Sequence, residues 1–150
     1  MGDPAIQIQN LVYRYAELID LGDFEGLGHL LDGAEVGSAG SHGSLSGHDA
    51  VVAMFTSTTR RYPDGTPRTK HVTTNCIVEV DTDAGTGTCR SYFTVLQQVE
   101  GLALQPIIAG RYHDRFVCDD GVWRFAERRF FIDLVGDLSH HMLTSLPGDA

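Results

Sequence analysis

The sequence has few cysteines and no long hydrophobic run, and its first residues do not have the pattern expected of a targeting segment. Its three cysteines, Cys76, Cys89 and Cys118, are an odd number without close spacing, so they predict buried, reduced thiols rather than a disulfide framework. No apolar run approaches the roughly 20 residues that a membrane span needs. The first residues carry neither the basic nor the apolar segment of a secretory signal. We therefore expect a cytoplasmic protein.

Basic residues are also scarce. The 150 residues include 11 Lys and Arg against 20 Asp and Glu, which gives a net charge of −9. Nucleic acids and anionic membranes are bound through clustered basic side chains, so neither is an expected partner. HxH, HExxH and CxxC spacings are missing as well, and the sequence predicts no metal site and no cofactor. His29 and His48 lie at positions that look exposed, and we assign them no role.

Secondary-structure signals divide the chain into a helical first third and a β-rich remainder. Asp3 followed by Pro4 is typical of a helix start, and apolar residues then recur at helical spacing until Gly22. The predicted helices begin at residues 3, 23 and 46 or 47, and the third ends near residue 61. Long strands are predicted over residues 71–80, 87–99, about 104–118 and 122–135. An Asp-Asp-Gly turn joins the last two strands as a hairpin.

Helices followed by long antiparallel strands predict an α+β fold in one domain spanning residues 1–150. Strands of about twelve residues are longer than the usual five or six, which favours a strongly curved, mostly antiparallel sheet wrapped around three helices. We expect four long strands and one or two short ones. Such a cone encloses a pocket where it is not filled. The tail, residues 136–150, lacks periodicity and is expected to order only against a neighbouring molecule.

The two faces of the last predicted strand carry different chemistry. Arg128 shares its parity with Phe130, so we expect it on the buried face, where a guanidinium needs an anionic or polar partner. The opposite parity carries three aromatic residues, which we expect on the convex face: Trp123, Phe125 and Phe131. Three exposed aromatics form a larger apolar patch than monomers usually tolerate. A homodimer or homotrimer is therefore predicted.

Five segments of the chain resemble SnoaL-like members of the NTF2-like superfamily. They are YRYAELID at residues 13–20, GDFEGL at 22–27, GHDAV at 47–51, HVTTN at 71–75 and the hairpin over 110–135. The similarity extends over nearly the whole chain to about residue 135, and it implies a cone-shaped α+β barrel. The superfamily includes isomerases, dehydratases, cyclases, dehydrochlorinases and non-catalytic binding proteins, so the fold does not identify the reaction.

Within the superfamily, the chain resembles the group of scytalone dehydratase and hexachlorocyclohexane dehydrochlorinase. That resemblance implies a catalytic pair, with His71 as the base and Asp20 as the carboxylate that orients it. It also implies that Arg128 contacts the substrate, with Tyr15 and Tyr112 as further substrate-binding residues. Tyr15 falls where the dehydrochlorinase has a lysine. Because a phenol donates a hydrogen bond but supplies no charge, this departure favours an oxygen over a chloride as leaving group.

Each of these residues also has a simpler structural interpretation. Asp20 would cap the turn that follows it, and His71 would be a residue at a strand edge. Arg128 would form a structural salt bridge with Asp20 or Glu17. The two tyrosines would only pack, with satisfied hydroxyl groups. The adjacent histidines of the tail, His140 and His141, project in different directions and would chelate a metal poorly.

Three functions are compatible with the sequence. The first, which we favour, is a cofactor-independent lyase (dehydratase) or isomerase that acts on a small, mostly apolar oxygenated molecule by His–Asp general base catalysis. The second is a non-catalytic module that binds a small hydrophobic ligand, and the third is an oligomerisation domain with a filled cone. An Asp20–His71 hydrogen bond facing a cavity would favour the first, a cavity without that contact the second, and a filled cone the third.

Overall fold

Three helices and a six-stranded sheet make up the computed structural model, which describes residues 2–39 and 43–144. The helices are α1 (Pro4–Leu21), α2 (Phe24–Leu30) and α3 (His48–Thr58). The strands are β1 (Glu35–Ser38), β2 (Leu45–Ser46), β3 (Thr69–Asp81), β4 (Thr86–Val99), β5 (Leu102–Asp119) and β6 (Val122–Val135). The predicted α+β class, with four long strands and two short ones, is confirmed. Within the described ranges, no helix combines the length and apolarity that crossing a bilayer requires.

The sheet is curved and has the strand order β2-β1-β6-β5-β4-β3. Neighbouring strands are antiparallel except β1 and β6, which run parallel. Register shifts interrupt the three ladders between the long strands. At one of them, between Thr74 and Ile77 on β3, Asn75 adopts a left-handed φ of 42°. Such bulges bend a strand and increase its twist, which lets the long strands wrap around the core.

Helix α1 places the first site residue, because both of its ends are fixed by the local sequence. The Asp3 carboxylate accepts a hydrogen bond from the Ala5 amide, and Gly22 ends the helix with a left-handed φ of 72°, as predicted. The buried stripe of the helix consists of Ile8, Val12, Tyr15, Ala16, Leu18 and Ile19. Asp20 therefore lies in the last turn, where its carboxylate reaches β3.

The predicted convex aromatic face is wrong, because β6 contains a bulge. The pairing of β5 with β6 shifts register between Arg115 and Phe116, which leaves Ala126 as an extra residue on β6. The alternation of side chains reverses at such a residue. Trp123 and Phe125 therefore point into the core, with 8% and 0% of their surface exposed, and they share the buried side with Arg128.

Phe131 remains on the outer face of β6, where arginines cover its ring. The guanidinium carbons of Arg111 and Arg129 lie 4.5 and 5.7 Å from the ring centroid. The predicted homodimer or homotrimer thus loses the patch of three aromatic residues from which it was inferred. It stays a prediction.

The C-terminal segment packs on its own chain, contrary to the expectation that it orders only against a neighbour. The Met142 backbone forms a bridge with Thr59, and the Tyr62 hydroxyl donates to the His140 carbonyl. This segment also explains why α3 ends before residue 59 rather than near residue 61, because the backbone there pairs with the segment in extended conformation. Residues 145–150 of the predicted tail lie outside the described residues.

Candidate active site

A cavity of about 350 Å³ lies between the concave face of the sheet and the helices. Most of its lining is apolar, and representative side chains are Ile19, Phe55, Phe93, Ile108, Phe130 and Leu138. The titratable side chains in the lining are Tyr15, His71, Tyr112, Arg128 and His141. Larger grooves, such as the one beside Gln98, lie open on the surface away from these groups. The cone is therefore not filled, contrary to what the third function considered above would require.

Asp20 and His71 form a hydrogen-bonded pair beside this cavity. Asp20 Oδ1 lies 2.6 Å from His71 Nδ1, and the two side chains are only 10% and 6% exposed. The other carboxylate oxygen accepts the His71 backbone amide at 2.8 Å, and the Thr69 hydroxyl donates to Oδ1 at 2.9 Å. One carboxylate thus joins the last turn of α1 to the first residues of β3.

This geometry indicates which nitrogen of His71 carries the proton. Because Nδ1 donates to a carboxylate, the neutral ring carries its lone pair on Nε2, the nitrogen left for the cavity that the ring lines. The carboxylate also stabilises the imidazolium that forms when Nε2 takes up a proton. The two residues predicted to form a pair therefore meet. Turn capping by Asp20 is not observed, since β3 engages its carboxylate.

Arg128 is buried and pairs with Asp114, a partner that the sequence reading missed. Its Nε and Nη2 donate to the two Asp114 oxygens at 2.9 and 2.8 Å, and both side chains are at most 1% exposed. The partners considered from the sequence are wrong. Asp20 is bound to β3, and Glu17 contacts Arg14 at the surface.

The Arg128–Asp114 ion pair leaves one donor next to the cavity. Burial by itself would lower the pKa of Arg128, but the Asp114 carboxylate outweighs burial and leaves this pKa raised. Burial raises the pKa of Asp114, and the guanidinium opposes that rise; two charge-assisted hydrogen bonds hold it as a carboxylate. Arg128 Nη1 is buried and has no hydrogen-bond partner among the described residues. An electrically neutral pair with a spare donor suits an uncharged oxygen atom.

The rings of Tyr15 and Tyr112 both contact the guanidinium. Arg128 Cζ lies 4.2 Å from the Tyr15 centroid and 3.7 Å from the Tyr112 centroid, distances typical of cation–π contacts. Tyr112 also stacks on Phe93, with 4.5 Å between centroids. Burial raises the pKa of both phenols, so they remain protonated donors at neutral pH. Both rings pack, as the simpler interpretation expects, and both also line the cavity.

His141 is a further cavity residue that the sequence reading missed. The residue is 7% exposed, and its Nδ1 is buried without a hydrogen-bond partner in the described part of the chain. Burial lowers its pKa to about 4, and the neighbouring His71 ring adds to this effect, so the imidazole is neutral at physiological pH. The sequence gives only a weak indication that His141 lies at the cavity. Leu138 and Met142 are four residues apart, the spacing of one helical turn, and both line the cavity.

Comparison with known proteins agrees with this architecture. The family model described as a SnoaL-like domain matches residues 6–129. Among solved structures, Rv3472 of Mycobacterium tuberculosis, a protein of unknown function, is 27% identical. It superposes with a TM-score of 0.69 over 87% of this chain and 72% of that chain. The chain matches no curated protein sequence at a significant level.

Two further solved structures share the fold at lower identity. A protein from Novosphingobium aromaticivorans that carries the provisional name scytalone dehydratase is 20% identical, with a TM-score of 0.67 over 88% of this chain and 85% of that chain. LinA is 23% identical, with a TM-score of 0.67 over 95% of this chain and 89% of that chain. At these identities the similarity shows that the fold is shared, and it does not identify the reaction.

Proposed function

Because this chain belongs to the SnoaL-like domain family, we propose that it is a cofactor-independent lyase or isomerase. Its substrate is a small, mostly apolar molecule that carries a carbonyl or hydroxyl oxygen. One observation supports the proposal above all others: the Asp20–His71 pair borders a largely apolar cavity. The reaction begins when His71 removes a proton from carbon.

His71 acts as the general base through its Nε2 lone pair. It takes a proton from the carbon next to a carbonyl, while Asp20 holds the ring and stabilises the imidazolium. In an isomerase, His71 returns this proton to a different carbon. In a dehydratase, the proton and a β-hydroxyl group leave together as water. Neither course requires an oxidant or a reductant.

Arg128 Nη1 and the phenols of Tyr15 and Tyr112 are the donors for the oxygen on which negative charge develops. Asp114 and the two aromatic rings hold the guanidinium in place, so it does not have to reorganise during the reaction. Because Asp114 already balances its charge, the cavity has no excess positive charge that would select a carboxylate or phosphate. These donors favour a neutral carbonyl that becomes anionic only in the transition state.

His141 and the apolar lining determine the kind of molecule that binds. As a neutral imidazole, His141 can donate or accept a hydrogen bond without a charge of its own, which suits a substrate hydroxyl group. The apolar side chains exclude water and contact rings or alkyl groups. The volume of about 350 Å³ is near the lower end of the range of about 300–1,000 Å³ for ligand pockets, so the substrate is small.

Proton abstraction can be tested before the reaction is known, by following deuterium uptake. The protein is incubated in D₂O with a panel of cyclic and aromatic ketones and β-hydroxyketones, and mass spectrometry reports exchange at the carbon next to the carbonyl. We expect the wild type to accelerate exchange of at least one ligand, and His71→Ala to remove the acceleration. His113→Ala removes an exposed histidine on β5 and should behave as the wild type.

The same panel separates catalysis from simple ligand binding, the alternative that the apolar lining also favours. A ligand that raises the thermal midpoint but undergoes no protein-dependent exchange or loss of water would contradict the enzyme proposal. Such a result would favour the non-catalytic binding module. Equal exchange rates in the wild type and His71→Ala would show that His71 is not the base.

A further inference from the structure

A second cluster of polar side chains lies outside the cavity, between α2 and α3. Glu25 and His29 are four residues apart on α2 and therefore share a face of that helix, and His48 begins α3. One nitrogen or oxygen atom of each residue lies within 4.8 Å of those of the other two. None of the three side chains lines the cavity, so the proposed function leaves this cluster unexplained.

The packing of α3 against α2 builds the cluster. The His48 ring lies against α2 at Gly28, where an added Cβ would come within 2.7 Å of a ring carbon. Because residue 28 has no side chain, the ring can approach both Glu25 and His29. The centroids of the His29 and His48 rings are 4.6 Å apart. The three side chains thus converge through a close helix contact rather than through spacing along one segment.

The Asp49 carboxylate orients the His48 ring through Nδ1, the nitrogen that does not face the cluster. His48 Nδ1 lies 2.8 Å from Asp49 Oδ1, so the neutral ring presents its lone pair on Nε2. Metal-binding histidines in proteins are commonly oriented by an outer carboxylate in this way. His48 Nε2 is itself shielded from solvent and makes no hydrogen bond of good geometry within the described residues.

The contact between His48 and Glu25 places two candidate ligand atoms close together. Glu25 Oε2 lies 2.8 Å from His48 Nε2 but off the axis along which that nitrogen would donate. Two atoms at about 2.0–2.1 Å from a common ion and 2.8 Å from each other subtend roughly 90° at that ion. The tetrahedral angle that zinc prefers separates such atoms by roughly 3.4 Å, so rotation of the exposed Glu25 and His29 side chains would complete the set.

We propose that Glu25, His29 and His48 bind a divalent cation of the zinc class. Two imidazoles and one carboxylate suit zinc and its late first-row neighbours, and water would complete the coordination. The ion would join α2 to the start of α3, a helix whose later residues Met54 and Phe55 line the cavity. Its expected effect is to hold that wall in place and raise the thermal midpoint. The sequence predicted no metal site because the HxH, HExxH and CxxC patterns lie within one segment. These three ligands come together only when α2 and α3 pack.

Calorimetric titration of the chelator-treated full chain with Zn²⁺ tests the site. We expect one zinc ion per chain, and the visible absorption of Co²⁺ reports the ligand set independently. His48→Gln and Glu25→Ala should each weaken zinc binding at least tenfold. His113→Gln, which removes an exposed histidine outside the cluster, is the matched control and should bind as the wild type does.

Folding and binding can be separated in these variants. Glu25 is exposed, with 69% of its side chain accessible, so Glu25→Ala should keep the fold, which circular dichroism of the metal-free protein checks. Wild-type zinc affinity in a His29→Gln/His48→Gln double variant would overturn the proposal. So would a failure of the wild type to bind zinc, in which case the contact between Glu25 and His48 is an ion pair with a protonated imidazole.

Discussion

Neutralising Asp114 isolates the energetic cost of the buried ion pair. Asp114→Asn keeps the shape of the side chain but leaves the Arg128 guanidinium, 1% exposed, without a counter-charge. Removing one partner of a buried pair typically costs about 3–5 kcal/mol, because the remaining charge is desolvated and uncompensated. Since domains are stable by roughly 5–15 kcal/mol, this is a large share of the free energy of unfolding. We expect a clearly lower urea midpoint in equilibrium unfolding followed by circular dichroism.

The same two strands supply a matched control. Arg111 on β5 and Asp133 on β6 also form a bidentate pair, at 2.9 and 3.1 Å, but their side chains are 38% and 41% exposed. Water can replace the lost partner there, so Asp133→Asn should change stability far less. Equal losses in the two variants would refute the reasoning. The double variant Asp114→Leu/Arg128→Met should recover most of the stability, because it removes both buried charges.

Three further outcomes are expected. The folded-state pKa of His141, about 4, lies below its ordinary value of 6.5, so the unfolded chain takes up the proton first as the pH falls. The free energy of unfolding therefore falls as the pH drops from about 6.5 to about 4, by on the order of 3 kcal/mol. His141→Leu should flatten the pH profile of urea unfolding over this range. Once a substrate is identified, Asp20→Asn should lower turnover by about 10⁴, as in triads whose carboxylate is lost, and undiminished turnover would remove Asp20 from the mechanism. Light scattering at tens of micromolar tests the predicted homodimer or homotrimer, which a monomer mass would contradict.

Features that depend on neighbouring residues could be predicted from the sequence. Asp3 and Gly22 bound α1 as expected, because capping involves only a few adjacent groups. The long strands follow from their alternation of polar and apolar residues. The contact of Asp20 with His71 was predicted by resemblance instead, since 51 positions separate the two residues and no local rule brings them together.

Features that depend on pairing between distant segments could not be predicted from the sequence. Ala126 looks like any other strand residue, and it becomes a bulge only because β5 has no residue to oppose it. Asp114 alternates with Tyr112 and Phe116 on the face that becomes buried, a signal that a carboxylate lies inside. Its pairing with Arg128 depends on the register of β5 and β6, which neither strand determines alone.

Ala126 is one of two extra residues on β6, and it allows the cavity to change shape without replacement of a cavity side chain. A single-codon deletion of Ala126 would leave Phe125 and Arg128 on their present faces, because regular alternation would then hold between these two residues. The bend that the bulge produces would be lost. Homologues that differ in length by one residue at this point are therefore expected to bind ligands of different shape with the same side chains. Strand curvature would then be an inherited determinant of specificity, alongside the identity of the lining residues.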